Sequence, residues 1–346
     1  MSRTTLHLPA LLIGSLFLGA CAGEDQAAPT AELPIELARG DAAALARVEV
    51  ALEHLAGGRR PDALATLEAC LDAHPGSLEA NLEYARLAAT SGHTAPALAT
   101  YERLHAADPT DDGVARGLAR LALFLGREDL AGRAADVLAA DASSSAADLA
   151  LAAEVALAAG DVPLARSRAE AAVERDPMDP AAHHQLALAM LEELDDTLAT
   201  GPVQNTLRVA VHLDPGRTEA RHLLATLLMQ VGKEELGRGL LDANALIAEL
   251  GSAEYAALGP RPRMKRAREV ADDLPTWSRP ALEIARAQLA LGQAAKAEET
   301  LVGAMDLRPR SLELYKLRYA AALARADAKA ADNWLERWNL KREQDG

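Results

Sequence analysis

Residues 78–111 read LEANLEYARLAATSGHTAPALATYERLHAADPTD, and they divide at Ser91-Gly92-His93 into two short helical runs. Two amphipathic helices that cross closely need a small residue at the contact, and Ala85 and Ala97 supply one on each run. Gly92 ends the first run, because a residue without a Cβ enters the left-handed conformation freely. Pro96 falls in the first turn of the second run, where its missing N–H costs nothing. Asp108-Pro109 closes that run and turns the chain toward a third.

The same unit recurs in register. Gly58, Gly92, Gly126 and Gly160 stand 34 residues apart, as do Ala51, Ala85, Ala119, Ala153 and Ala187, and Ala63, Ala97, Ala131 and Ala165. In an alanine-rich chain the alanine series say little, but glycine is near its usual frequency. Chance gives three further glycine hits in about 3 of 10,000 cases. With Ala85, Gly92, Ala97, Tyr101 and Asp108-Pro109 placed as they are, 78–111 resembles one complete tetratricopeptide repeat. The resemblance implies an all-α, right-handed α-solenoid of helix hairpins.

Length and charge agree. A chain of 346 residues, half of them hydrophobic, suggests about two domains by length alone, but a solenoid grows by adding units. Ala, Leu, Arg and Glu dominate, and no window alternates Val, Ile and Thr with polar residues as a half-buried strand does. The formal net charge of -15 speaks against a nucleic-acid binder and favours, at most, basic partners.

The N-terminus reads as an export leader. Arg3 is followed by an apolar run from Leu8 to Leu18, too short for a transmembrane helix, which needs about 20 residues. Leu18-Gly19-Ala20-Cys21 resembles the lipobox of bacterial lipoproteins. That resemblance implies removal of residues 1–20 and acylation of Cys21 by two or three chains, palmitate among them, enough for a stable anchor. Ala22 after the cysteine, by resemblance to the enterobacterial sorting pattern, implies the periplasmic face of the outer membrane. Cys70 is then the one cysteine left, at a small core-facing repeat position, so it is expected to pack as an apolar residue with no disulfide. Residues 21–40 carry prolines, Gly23 and several acids, and read as a flexible acidic tether.

From there, 41–250 holds six units. The fifth has a lengthened turn, with Leu194 where glycine is expected and Gly201-Pro202 restarting its second helix. The sixth has a second helix running from Glu234 to Leu250. Residues 251–277 break the rhythm and read as an irregular insertion: Gly259-Pro260-Arg261-Pro262 marks a loop, and a short helix is expected over Arg263–Asp273. Residues 278–346 resume with a seventh unit and a capping hairpin, in which Tyr319 takes an alanine position.

No catalytic motif, phosphate loop or metal-spaced cysteine pair is present, and no cofactor is expected. No metal is expected: His184 and His222, at equivalent places in successive first helices, are the one histidine pair placed to share an ion, and they read instead as surface or groove histidines. The resemblance implies a ligand groove on the first helices. Carried onto this chain, its positions are Arg86, Arg116, Arg120, Phe124, His184, His222, Arg286 and Lys316. Arg86, Arg116 and Arg120 would form a positive cluster able to hold a carboxylate, or else are solvated arginines offsetting nearby acids. A second basic group, Arg261, Arg263, Lys265, Arg266 and Arg268, would meet an anionic surface such as a wall polymer, or be balanced by Glu269, Asp272 and Asp273. Trp334 and Trp338 share a helical face, either sealing the last core or docking a partner. The expectation is an envelope-anchored, non-catalytic scaffold for a protein or peptide, touching the membrane through its lipid alone and serving assembly of an envelope or secretion complex. A wall-polymer binder using 261–268, and an enzyme with a site in 251–277, stand as alternatives.

Overall fold

The computed structural model describes residues 37–56, 59–140, 144–194, 200–275, 277–307 and 312–345. The leader, the Cys21 acylation site and most of the tether lie outside the described residues. So does Gly58, the first glycine of the 34-residue series.

The described residues form α1 (Ala42–Ala56), α2 (Arg60–Ala73), α3 (Leu78–Thr90), α4 (Thr94–Ala107), α5 (Asp112–Phe124), α6 (Glu128–Ala140), α7 (Ala146–Ala158), α8 (Val162–Arg175) and α9 (Pro180–Glu192). They continue with α10 (Gly201–Leu213), α11 (Thr218–Gln230), α12 (Glu234–Leu250), α13 (Ala253–Ala257), α14 (Pro260–Asp273), α15 (Arg279–Ala290), α16 (Ala294–Asp306), α17 (Leu312–Ala324) and α18 (Ala328–Asp345). Among the described residues there is no strand, only an isolated parallel bridge between Ala38 and Ser77. The fold is an all-α solenoid in which successive helices pack on one another, the short α13 packing on α12.

Local chemistry explains the regularity. Gly92, Gly126, Gly160, Gly232 and Gly292 all carry positive φ at the end of a first helix. The residue after each donates its N–H to a carbonyl five residues back, as His93 does to Ala88 (2.9 Å) and Gln293 to Gln288 (2.8 Å). At the other end of the first helices, Ser77, Asp111, Ser145 and Asp179 stand 34 residues apart and accept from backbone N–H groups of the first turn. A further device caps the turns between units: Asn81, His183 and Arg221 each hydrogen-bond the carbonyl of the proline six residues earlier, at 2.9, 2.9 and 2.6 Å. The core beneath is built from the predicted small residues, with Ala51, Ala63, Ala85, Ala97, Ala119, Ala131, Ala153, Ala165 and Ala187 all buried. Cys70 packs with them as a free thiol, its Sγ 3.8 Å from the Ala44 carbonyl.

Two stretches differ from the sequence reading. The loop expected at Gly259-Pro260-Arg261-Pro262 is the first turn of α14, a helix of 14 residues that starts at Pro260. Both prolines lie where helix N–H groups have no intrahelical acceptor, so they start the helix instead of breaking it. A step of 34 places Pro260 on Ala294, Ala267 on Leu301, Val270 on Ala304 and Pro275 on Pro309, and the two core pairs are buried alike. Residues 251–277 thus hold a reduced unit, with a five-residue first helix (α13) and a full second helix that packs on α15. The end of the tether is the other difference. Ala38 donates to the Gly76 carbonyl (2.8 Å) and accepts from Leu78 (3.1 Å), while Arg39 reaches Asp108 (3.2 Å) and Asp111 (2.7 Å), so 38–39 is strapped across two inter-unit turns.

Candidate functional site: the face of the first helices

First helices of successive units pack on one another at α1/α3, α3/α5, α5/α7, α7/α9 and α15/α17, whereas the second helices of those units make at most marginal contact with one another. A row of helices in mutual contact, backed by a row held apart, curves toward the contacting side. The first-helix face is therefore the inner one.

The three arginines expected to form a positive cluster do not act together. Arg86 is exposed and held by Glu83 at 2.9 Å. Arg116 makes a bidentate pair with Asp148 of the next first helix, Nε to Oδ1 at 2.7 Å and Nη2 to Oδ2 at 3.2 Å. Asp148 is 4% exposed and also accepts from the Ser145 hydroxyl at 2.6 Å. Burial works against the Asp148 charge, but the Arg116 and Ser145 hydrogen bonds hold its carboxyl below the usual range. Arg116 is a structural tie between units, which the sequence could not show because its partner lies 32 residues away.

Arg120 differs: among the described residues no carboxylate lies within ion-pairing distance of it. Its guanidinium and the Glu154 carboxylate are open to solvent, yet burial among the surrounding helices lowers the Arg120 pKa and raises that of Glu154. Side chains on the floor of a concave surface behave so, reached by water from one side and hemmed in on the rest. Tyr101 packs beneath them against Gly117, where a Cβ would stand 2.3 Å from the ring. Burial pushes the Tyr101 hydroxyl up to about 12. Phe124, at the end of α5, is 65% exposed. The track Phe124, Arg120 and Glu154 leads toward Arg217 and Glu219 beside His184.

His184 and His222 differ in burial. His184 is 7% exposed, with an Nδ1 that has no hydrogen-bond partner, and burial together with Arg217 brings its pKa down to about 4. His222 is exposed. Among the described residues no group of three or more His, Cys, Asp or Glu side chains is disposed to hold a metal.

At the other end of the array, Arg286 enters a dense ionic network, with Lys316 beside it. Glu283, 1% exposed, accepts from Arg263 (3.0 Å) and Arg286 (2.7 Å) and pairs with the Arg279 guanidinium at 3.1 Å. Glu313 is shared by Arg279 (3.4 Å) and Arg286. Burial, and then the Arg286 charge, lower the Lys316 pKa. The basic run expected at 261–268 is therefore not one patch. Arg263 turns inward to Glu283 and over the Tyr255 ring (5.3 Å), Arg266 forks onto Glu249 and reaches Glu269, and Lys265 lies 4.0 Å from Glu269. Arg261 and Arg268 stay exposed. At the cap, Trp334 packs on Tyr315 (6.2 Å) beneath the Arg318 guanidinium (3.9 Å), which favours sealing over docking for that ring.

The hairpins, the left-handed glycines and the stacked first helices now stand beside known proteins. Residues 54–121 match the tetratricopeptide repeat. The tetratricopeptide-type array superposes on PilW, a widely conserved type IV pilus biogenesis factor, with a TM-score of 0.51 and 15% identity over 62% of this chain and 97% of PilW. With pilF of Pseudomonas aeruginosa the TM-score is 0.49 at 18% identity, over 62% of this chain and 96% of that one. Likeness at such identity is likeness of fold. No curated protein sequence matches the chain.

Proposed function

We propose that the chain is an envelope-anchored scaffold that holds a protein or peptide partner along the face of its first helices. One observation carries the reading. The first helices present a face on which Phe124, Arg120 and His222 are exposed above a core already sealed by alanine and leucine. Side chains that the core does not need, displayed on first helices of different units, suit an extended ligand. The leader supports the anchor: Arg3, the apolar run and Leu18-Gly19-Ala20-Cys21 put a lipid at the start of the mature chain, which would hold the scaffold at the outer membrane and raise its local concentration near an envelope or secretion complex.

The polar residues that an enzyme in 251–277 would use are dispersed. The Tyr255 hydroxyl is spent on the Arg263 carbonyl at 3.3 Å, Glu269 on Lys265 and Arg266, and Glu254, Asp272 and Asp273 point to solvent. Nor does the split of 261–268 into paired and lone bases favour a wall-polymer binder.

Affinity purification from envelopes tests the face. Changing Arg86, Arg120 and Phe124 together to Ala leaves the fold intact by circular dichroism, since all three are exposed, and is expected to strip the partner. An unchanged partner list would refute the assignment. Cys21→Ser is expected to move the protein from the membrane to the soluble fraction, and retention in the membrane would refute the anchor.

A further inference from the structure

Glu283 is a carboxylate in a core position. Its equivalents in the earlier first helices are Leu223, Gln185, Leu151, Gly117, Glu83 and Glu49, and of the two carboxylates among them Glu83 is only partly buried and Glu49 is exposed. An ionised carboxylate 1% exposed needs full pairing, and it has three guanidiniums around it: Arg279 and Arg286 from its own helix, at i−4 and i+3, and Arg263 from α14. The cations outnumber what holds them. Among the described residues Arg263, Arg279 and Arg286 share two carboxylates, Glu283 and Glu313, and Lys316 feels the Arg286 charge beside them, in a molecule whose net charge is -15.

The geometry shows what the surplus is for. Each guanidinium has five N–H donors in a fixed fork, and one oxygen of Glu283 takes only one or two of them. Glu283 pins the inward edge of the forks, while Arg279 and Arg286 remain 43% and 36% exposed. Lys316 adds an ammonium half-buried beside Arg286, kept short of water and short of acid. Guanidiniums held rigid from beneath, with donors left over on the open side, form a preorganised oxyanion receptor.

We infer that the cluster of Arg263, Arg279, Arg286 and Lys316 around Glu283 is an anion-binding site that takes the carboxylates of an acidic peptide segment. It rests on the scaffold reading and gives that reading a ligand chemistry. The site is at the α14/α15/α17 end of the first-helix face, not at Arg86, Arg116 and Arg120, where two of the three cations are already tied. The reduced unit makes it possible. A full first helix precedes every other second helix, whereas the five residues of α13 leave α14 free to bring Arg263 against α15.

The test uses the full-length protein in detergent and a fluorescein-labelled hexaglutamate peptide, read by anisotropy. Wild type binds at low salt and releases the peptide as ionic strength rises. The double variant Arg279→Gln/Lys316→Gln keeps Arg263 and Arg286 on Glu283, so the fold is retained, and it weakens binding by about tenfold or more. Arg261→Gln/Arg268→Gln removes the same charge elsewhere and changes binding less than about twofold. Equal loss in both double variants, or no binding by wild type, overturns the proposal and leaves the cluster a structural network. Displacement of the peptide by inorganic phosphate, with chloride of the same ionic strength leaving it bound, overturns the carboxylate assignment in favour of phosphate. Partner capture through Phe124 and Arg120 that persists in Arg279→Gln/Lys316→Gln, with no peptide bound by wild type, sinks this inference and leaves the scaffold standing.

Discussion

Ala326 occupies the left-handed slot that five other hairpins give to glycine, with φ at 55°. It lies 34 residues after Gly292 and makes the same closing bonds, Asp327 N–H to the Ala322 carbonyl at 3.0 Å. A Cβ in that conformation costs about 1–2 kcal/mol, part of which glycine gives back as chain entropy. Ala326→Gly should therefore stabilise the cap by about 0.5–1 kcal/mol, read as a raised Tm; a lowered Tm would mean the turn is not strained. The glycines of this series are legible in the sequence because nothing else suits their backbone. Ala326 is not, because an alanine among so many carries no mark of its conformation. His184 is likewise half-legible. Its place on a first helix is plain, but its burial depends on Arg217 and on helices from other units. Its folded pKa of about 4 lies below the ordinary 6.5, so between those values the unfolded chain binds a proton that the folded one refuses. Stability is expected to fall by about 3 kcal/mol as pH drops from 6.5 to 4. Denaturant titrations across that range should show His184→Leu with a shallower decline than wild type, and an equal decline would place the titration elsewhere.

Pairs of helices meet at their small residues as the sequence implies, since Ala85 with Ala97 is a contact that spacing alone dictates. Ties between units are hidden, because they join residues a full repeat apart and depend on side-chain direction. Arg116 with Asp148 is the clearest: by position the arginine suits a ligand-binding cation, and it is instead a strut between α5 and α7. Arg116→Ala would leave a nearly buried Asp148 with only Ser145, at a cost of about 3 kcal/mol, whereas Arg116→Leu with Asp148→Leu should recover much of it. Thermal melts of the single and double variants decide this, and a single variant as stable as wild type would refute the strut. The α14 start is obscure in the sequence for a related reason. A Gly-Pro-Arg-Pro run suits a loop and a helix start equally, and only the 34-residue step from Pro275 to Pro309 and from Val270 to Ala304 separates the two.

Across the array, period and composition are enough to give an all-α solenoid, because each unit repeats the same local solution. They are not enough to give the site. A ligand face is what remains exposed after neighbouring units have taken the side chains they need, and in this chain they take Arg116, His184 and Arg263 and leave Arg120, Phe124 and the outer edges of Arg279 and Arg286. The claim that this inner face meets the partner can be read by site-specific photocrosslinking in intact cells. A benzophenone side chain is placed at Phe124 on α5 and, in a second strain, at Val302 on α16, which is 47% exposed on a second helix. A discrete adduct from position 124 and none from position 302 is the predicted result; an adduct from 302 with none from 124 would contradict it.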